Sequence, residues 1–281
     1  MGYDGLKNKQ GLTEKEFLSC YDAGRYERPS VTVDMLIFTV MDEALKILMV
    51  RRGDHPFIGY RALPGGFVNM DESLDMAALR ELKEETNIDD IYMEQLYTWG
   101  EADRDPRTRV IGCSYMALVD SRKLNIKAGD DAEDAAWFKV ECGIIDQKRS
   151  PAVKGFSIKS SVRLALSNDG EELEAIIKVD RTFDGNIMRV NRELSETRGI
   201  AFDHGKIIEY AVESIRNRIG YTGIAFSLMP EIFTLTELQQ VYEAILGKKL
   251  PKADLKRKVS GMVIETGKPK LYKYNPDWIL R

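Results

Sequence analysis

The sequence predicts an α+β fold with a small basic helical unit at its C-terminal end. Strand patterns flank one strongly charged helix in the order strand, strand, loop, helix, strands, rather than in a regular alternation of strand and helix. Near the end, two short helical patterns are followed by a hairpin pattern. Charge sets the same boundary. From Gly247 onward ten Lys and Arg stand against three Asp and Glu, although the whole chain carries a net charge of −4. A basic tail on an acidic body suggests a polyanion partner at that end, with a solvated lysine-rich surface as the alternative reading.

Residues 12–21, LTEKEFLSCY, predict a short opening helix, with Thr13 and Glu16 as a capping box and Leu12 and Phe17 as its staple. A strand follows Pro29, where Val31, Val33, Met35 and Ile37 alternate with other residues. KILMVRRG predicts a second strand, and VIGCSYMALV and AAWFKV further ones. Between them lies the charged helix, for which Met76, Leu79 and Leu82 are the expected anchors. In 151–200, apolar alternation on both sides of Asp169-Gly170 predicts a hairpin, packed on the core or against a subunit partner. DHGKIIEYAVESIRNRIG predicts an amphipathic helix capped by Asp203, with Ile207, Ile208, Ala211, Val212 and Ile215 as its buried stripe. In the last unit Thr234 and Glu237 form a capping box, Phe233 and Leu238 a staple, and the helix stops at Gly247. Pro251 opens a second helix that Gly261 ends, and Gly267-Lys268-Pro269 turns a small hairpin. Helix, short turn, helix and hairpin together outline a winged helix-turn-helix. The expected division is an N-terminal helical extension over 1–30, a central domain over 31–228 with a hairpin insertion near 160–180, and the winged helix over 229–281.

Composition excludes several classes. The most apolar stretch, Met35 to Val50, is interrupted by Asp42, Glu43 and Lys46, so no membrane span is expected. Three widely spaced cysteines argue against a disulfide frame or a thiolate zinc site and imply a reducing compartment, the cytoplasm. With His55 and His204 as its two histidines, the chain is poorly suited to histidine-based metal chemistry.

The charged helix carries RELKEETNI over 80–88. Glu81, Glu84 and Glu85 fall on about a third of the helix circumference. Carboxylates this close repel unless a cation sits among them, and Mg²⁺ takes oxygen ligands of this kind. By itself such a triplet reads more readily as a solvated acidic face. The spacing changes that reading. Gly66, five residues, Glu72, seven residues, then Arg80-Glu81-Leu82-Lys83-Glu84-Glu85-Thr86-Asn87-Ile88 resembles the Nudix box, G-x5-E-x7-R-E-U-x-E-E-x-G-U. The second glycine is replaced by Asn87, and Asn is the next best residue after glycine for a left-handed helix stop. The flanks ALPGGFVN and RDPRTRV look like the ADP-ribose pyrophosphatase branch, which often has Trp where this chain has Arg61. The C-terminal unit, FTLTELQQVYEAILGKKL followed by a basic helix and wing, resembles that of the Nudix-related transcriptional regulators.

The resemblance implies a Nudix α/β/α sandwich with a mixed sheet, joined to a winged helix. It implies hydrolysis of a nucleoside diphosphate linked to another group, with Mg²⁺ or Mn²⁺ held by Glu81, Glu84, Glu85 and Gly65. Glu72 then supports the loop or a further metal, and Arg80 orients a carboxylate. Gly66 lets the backbone approach the ligand, and Arg104, Arg107 and Arg109 bind phosphate or ribose or else make surface pairs. Glu133 and Asp134 are candidates for the general base. Lys252, Lys256, Arg257, Lys258, Lys268 and Lys270 are the expected contacts to double-stranded DNA. Homodimerisation and a nucleotide-derived or sugar ligand are implied too. Two readings stay open: a regulator that senses its ligand through a catalytically competent Nudix domain, and a hydrolase whose C-terminal unit is structural.

Overall fold

The computed structural model describes residues 6–87, 91–123, 135–152 and 154–280. A short helix, α1 (Glu14–Ser19), opens the chain with the expected capping box and buries none of its residues. The body is a ten-stranded mixed sheet built from β1 (Ser30–Met41), β2 (Ala44–Arg51), β3 (Arg61–Ala62), β4 (Gly65–Phe67), β5 (Tyr92–Trp99), β6 (Val110–Leu118), β7 (Ala135–Ala152), β8 (Gly155–Ser167), β9 (Glu172–Asp184) and β10 (Ile187–Arg198). The order is β10-β9-β8-β7-β2-β1-β6-β5, with β3 on β2 and β4 on β1. Strands β1 and β6 run parallel, and every other recorded pairing between named strands is antiparallel.

Alternation along β1 builds the sandwich. Val33, Met35 and Ile37 pack with helix α2 (Leu74–Thr86), while Leu36 and Phe38 on the other face join the cluster of helix α3 (His204–Arg218). The expected stripe of α3 is fully buried. The anchors of α2 differ from expectation. Met76 and Leu79 are more than half exposed, whereas Ala77, Ala78 and Leu82 are buried. The helix lies close to the sheet, and small side chains suit that contact. The Tyr115 hydroxyl adds a hydrogen bond to Asp75 Oδ1 at 2.7 Å.

The segment 151–200 holds more than a hairpin. Asn168 Oδ1 accepts the amides of Gly170 and Glu171, which makes the predicted turn between β8 and β9. Strand β7, 18 residues long, and β10 flank that pair, so the main sheet simply continues as a meander. Asp203 makes no capping hydrogen bond to α3; its carboxylate is drawn instead to Arg104.

The C-terminal unit comprises α4 (Leu235–Leu246), α5 (Lys252–Lys258) and the hairpin β11 (Val263–Glu265) with β12 (Tyr272–Tyr274). Its capping box is formed, Phe233 and Leu238 are buried, and Gly247 stops α4 at φ 65°. Pro251 is the N-cap of α5 rather than its first residue. Leu238, Val241, Tyr242, Ile245, Leu255 and Val259 belong to the same buried cluster as Phe38, Phe138 and α3. The three cysteines are free, and no helix among the described residues is long and apolar enough to cross a membrane.

Candidate functional site

Helix α2 is set by its two ends. Ser73 Oγ accepts the Met76 amide at 3.2 Å, and Asn87 takes the left-handed conformation, φ 52° and ψ 27°, as the sequence led us to expect. Two glycines bring the preceding loop against the helix and β1. A Cβ on Gly65, whose φ is 153°, would stand 2.1 Å from the Val33 carbonyl oxygen, and one on Gly66 would stand 2.3 Å from Glu81 Oε1. Gly65→Ala should therefore destabilise the fold by about 3 kcal/mol. Thermal denaturation reads this as a lowered midpoint; an unchanged midpoint would show that the close approach is dispensable.

Arg80 organises the acidic cluster. Its guanidinium bonds Glu72 Oε1 at 2.9 Å and Oε2 at 3.2 Å, Glu81 Oε1 at 2.6 Å and the Phe67 carbonyl at 3.3 Å, with Glu84 at 3.7 Å. Glu72 also accepts the Asn69 amide at 2.8 Å and is held down at about 2, first by the Arg80 hydrogen bonds and then by that amide. Glu72 thus ties the loop at Asn69 to the helix at Arg80. Burial pushes the Glu81 carboxyl up, and Arg80 only partly offsets this. Burial and then the charges of Glu81 and Glu84 push up Glu85. Among the described residues no three His, Cys, Asp or Glu side chains are drawn together tightly enough to hold a metal ion as they stand. The donor set still fits a hard divalent cation: three oxygen-bearing groups on adjacent turns, two of them disfavoured as bare charges. Glu133 and Asp134 lie outside the described residues, as does Ile88.

Next to the box, β1, β4, the 104–107 loop and the start of α3 enclose a cavity of about 160 Å³. It brings in Gly65, Gly66, Arg104 and Arg107 from the expected set. Arg107 is held by Asp105 at 2.8 and 3.0 Å and lies over the Phe67 ring, 5.5 Å from its centroid. The Arg104 side chain, 6% exposed, spans Asp203, at 2.9 Å, and Asp34, at 3.4 Å. Arg109 points away from the cavity, donating to the carbonyls of Gly100 and Glu101. Arg61 is buried as well; it pairs with Glu171 and lies over the Phe138 ring. Among the lining residues that the sequence reading did not propose for the site are Asp34, Arg52, Phe202 and His204. Arg52 lies 4.9 Å over the Phe202 ring, and burial followed by the nearby Arg107 charge lowers its pKa. Phe202 is held at φ 51°, unusual for a bulky residue. No spacing signal marks these four, which come from three distant parts of the chain.

On the winged helix, Lys252, Lys256, Arg257 and Lys258 are exposed on α5, where Leu255 and Val259 face inward. Lys268, Lys270 and Lys273 are exposed on the hairpin and its turn.

The NUDIX domain model matches residues 30–152, and the NrtR DNA-binding winged helix domain model matches 225–273. The ADPR responsive transcriptional repressor NtrR of Acinetobacter baylyi is 33% identical over 273 residues, covering 96% of this chain and 88% of that protein. The chain belongs to the NrtR family of Nudix proteins. Among solved structures, the family fold is matched by a MutT/nudix family protein of Enterococcus faecalis, at TM-score 0.69 and 29% identity over 95% of each chain. Shewanella oneidensis NrtR bound to a 27mer DNA aligns at TM-score 0.58 and 28% identity, over 88% of this chain and 94% of that one. The Nudix half of this NrtR-family chain is also similar to the ADP-ribose pyrophosphatase of Methanocaldococcus jannaschii, 41% identical over 134 residues, 48% of this chain and 75% of that enzyme.

Proposed function

We infer that this chain is a transcriptional repressor that binds double-stranded DNA through its winged helix and ADP-ribose in the cavity beside the Nudix box. The carrying observation is the exposed basic surface of α5 and the wing on the same chain as that cavity, in a protein similar over 273 residues to an ADP-ribose-responsive repressor. Arg107 and Arg52 supply the positive charge for a diphosphate, and the Phe67 and Phe202 rings supply apolar walls. Lys252, Lys256, Arg257 and Lys258 meet the duplex from α5, and Lys268 and Lys270 from the wing. A homodimer acting in the cytoplasm on a palindromic site completes this reading. The division at 31–228 and 229–281 follows the change from ligand-holding to DNA-holding surface.

A second reading is favoured by one observation: the carboxylates of the box are all present, and Glu81 and Glu85 stand in partly buried positions that disfavour their bare charges. We infer that Mg²⁺-dependent pyrophosphatase activity is retained alongside regulation. Glu81, Glu84 and Glu85, with the Gly65 carbonyl, would hold Mg²⁺ or Mn²⁺, which when bound polarises the diphosphate and activates water. This chain's own contribution is to orient. Arg80 fixes Glu81, Glu72 fixes the loop, and Gly66 leaves the space that the Glu81 carboxylate occupies.

The regulatory reading is tested by selecting duplexes from a random pool and titrating the enriched site with ADP-ribose. The expected result is a palindromic site, steep salt dependence of binding, and affinity weakened at least about fivefold by ADP-ribose. Failure to enrich any sequence would sink the reading.

A further inference from the structure

Helix α3 runs from the ligand cavity to the winged helix, and both of its ends are tied. At its start, His204 lines the cavity, and its Nδ1 accepts the Leu63 amide at 2.9 Å. Burial holds this imidazole neutral, so its proton sits on Nε2, which stands 3.9 Å from Asp34 Oδ1. Asp203, one residue earlier, takes two hydrogen bonds from Arg104. The backbone joins in: the Arg61 amide donates to Gly199 O at 2.9 Å, and the Ala201 amide donates to Arg61 O at 2.8 Å. The strand that leads into the Nudix glycines is thus bonded directly to the segment that enters α3.

Twelve residues further on, about 18 Å along the axis, Arg216 occupies the last turn. Its Nε donates to Ile245 O at 2.8 Å and its Nη1 to Cys142 O at 2.7 Å. Ile245 lies in the last turn of α4, where carbonyls have no partner within the helix. One planar guanidinium therefore joins α3, α4 and the central sheet, a geometry that a lysine's single ammonium does not reproduce. From α4 the contacts continue to α5. Glu243 Oε1 accepts the Leu250 amide at 2.8 Å, and Gln239 Nε2 donates to Leu250 O at 2.7 Å, pinning the residue ahead of Pro251. Between its ends α3 is gripped along its length. Ile207, Ile208, Ala211, Val212 and Ile215 are fully buried, while Glu209 and Glu213 pair with Arg192, and Glu213 with Arg181. A helix packed this tightly shifts as one piece or not at all.

We propose that Arg216 is the positioning residue through which occupancy of the Nudix cavity reaches the DNA-binding helix. This rests on the reading of the chain as an ADP-ribose-responsive repressor. Ligand in the cavity meets groups bonded to the first turn of α3, and Arg216 hands any shift of that helix to the end of α4. The contiguous contacts from His204 to Leu250 supply the physical route.

The test uses the full chain with Arg216→Ala and, separately, Arg216→Lys. Duplex affinity is measured with and without ADP-ribose, and ADP-ribose affinity is measured by calorimetry on DNA-free protein. The ratio of the two duplex Kd values is the coupling, expected to be at least about 5 in the unaltered protein. In both variants it should fall toward 1, with ADP-ribose affinity kept within about threefold. Failure of lysine to rescue separates the fork from its charge. A residue that merely stabilises the unit would weaken duplex binding equally in both conditions, and that unchanged ratio would overturn the proposal. Should alanine prevent folding, the lysine variant carries the measurement. Hydrogen exchange over 245–250 then provides a second readout, responding to ADP-ribose in the unaltered protein and not in the variant. A ratio of 1 in the unaltered protein sinks the repressor reading and the proposal with it. A ratio above about 5 that survives in both variants sinks the proposal alone.

Discussion

Replacing Lys252, Lys256, Arg257 and Lys258 together by alanine should weaken duplex binding by on the order of 10³ at physiological salt. It should also lower the slope of log K against log salt by about one for each phosphate contact removed. The effect is large because each cation releases condensed counterions when it meets the backbone. The change should spare the fold, since these side chains are exposed while Leu255 and Val259 keep α5 seated. Fluorescence anisotropy over a salt series measures both numbers, with circular dichroism as the folding control. A salt slope equal to that of the unaltered protein would mean that α5 does not face the duplex. Lys268, Lys270 and Lys273 should then be exchanged in its place, to ask whether the wing alone carries the contact.

Glu85→Gln should abolish Mg²⁺-dependent release of AMP from ADP-ribose, a loss on the order of 10³ if one metal-holding carboxylate is worth several kcal/mol. The amide keeps the shape of the side chain and removes its charge. Burial and the neighbouring carboxylates raise the pKa of Glu85, so its stabilising share is present at low pH and is lost as pH rises through the folded value. At neutral pH the charge opposes folding, and the metal-free variant should melt no lower than the unaltered protein. Lost turnover with an undiminished melting midpoint therefore assigns the effect to chemistry. Absence of turnover in the unaltered protein, with Mg²⁺ and with Mn²⁺, would leave a binding domain only.

The sequence displayed some of this plainly. Regular alternation revealed β1, the 3.6-residue period revealed α3, and side-chain chemistry at helix ends revealed both capping boxes and the left-handed Asn87. The winged helix and the Nudix box were legible because their residues are close in sequence. Other features were hidden for physical reasons. Strand β5 carries a bulge between Gln95 and Tyr97 and has polar and aromatic residues on an open face, so its alternation is blurred. Ala77 and Ala78 anchor α2 by being small, whereas the longer Met76 and Leu79 attract the eye and lie outside. The cavity is harder still. Asp34, Arg104 and Asp203 meet only once β1, the 104–107 loop and the entry to α3 have folded together. Arg104 and Arg107 look alike on paper and both line the cavity, but the fold sinks one between Asp34 and Asp203 as a brace and leaves the other largely exposed on Asp105.

Two separate family models match this chain, one at each end, which invites a picture of interchangeable parts. The interior does not follow that picture, because Leu238, Tyr242 and Ile245 complete the same apolar cluster as Phe138 and Ile215. A different DNA-reading head could not be grafted on at a linker without baring one side of the ligand-binding half. If α5 and the wing face the duplex as proposed, operator choice can be altered on their outer skin alone, while a change in the seam beneath disturbs the packing of both halves at once.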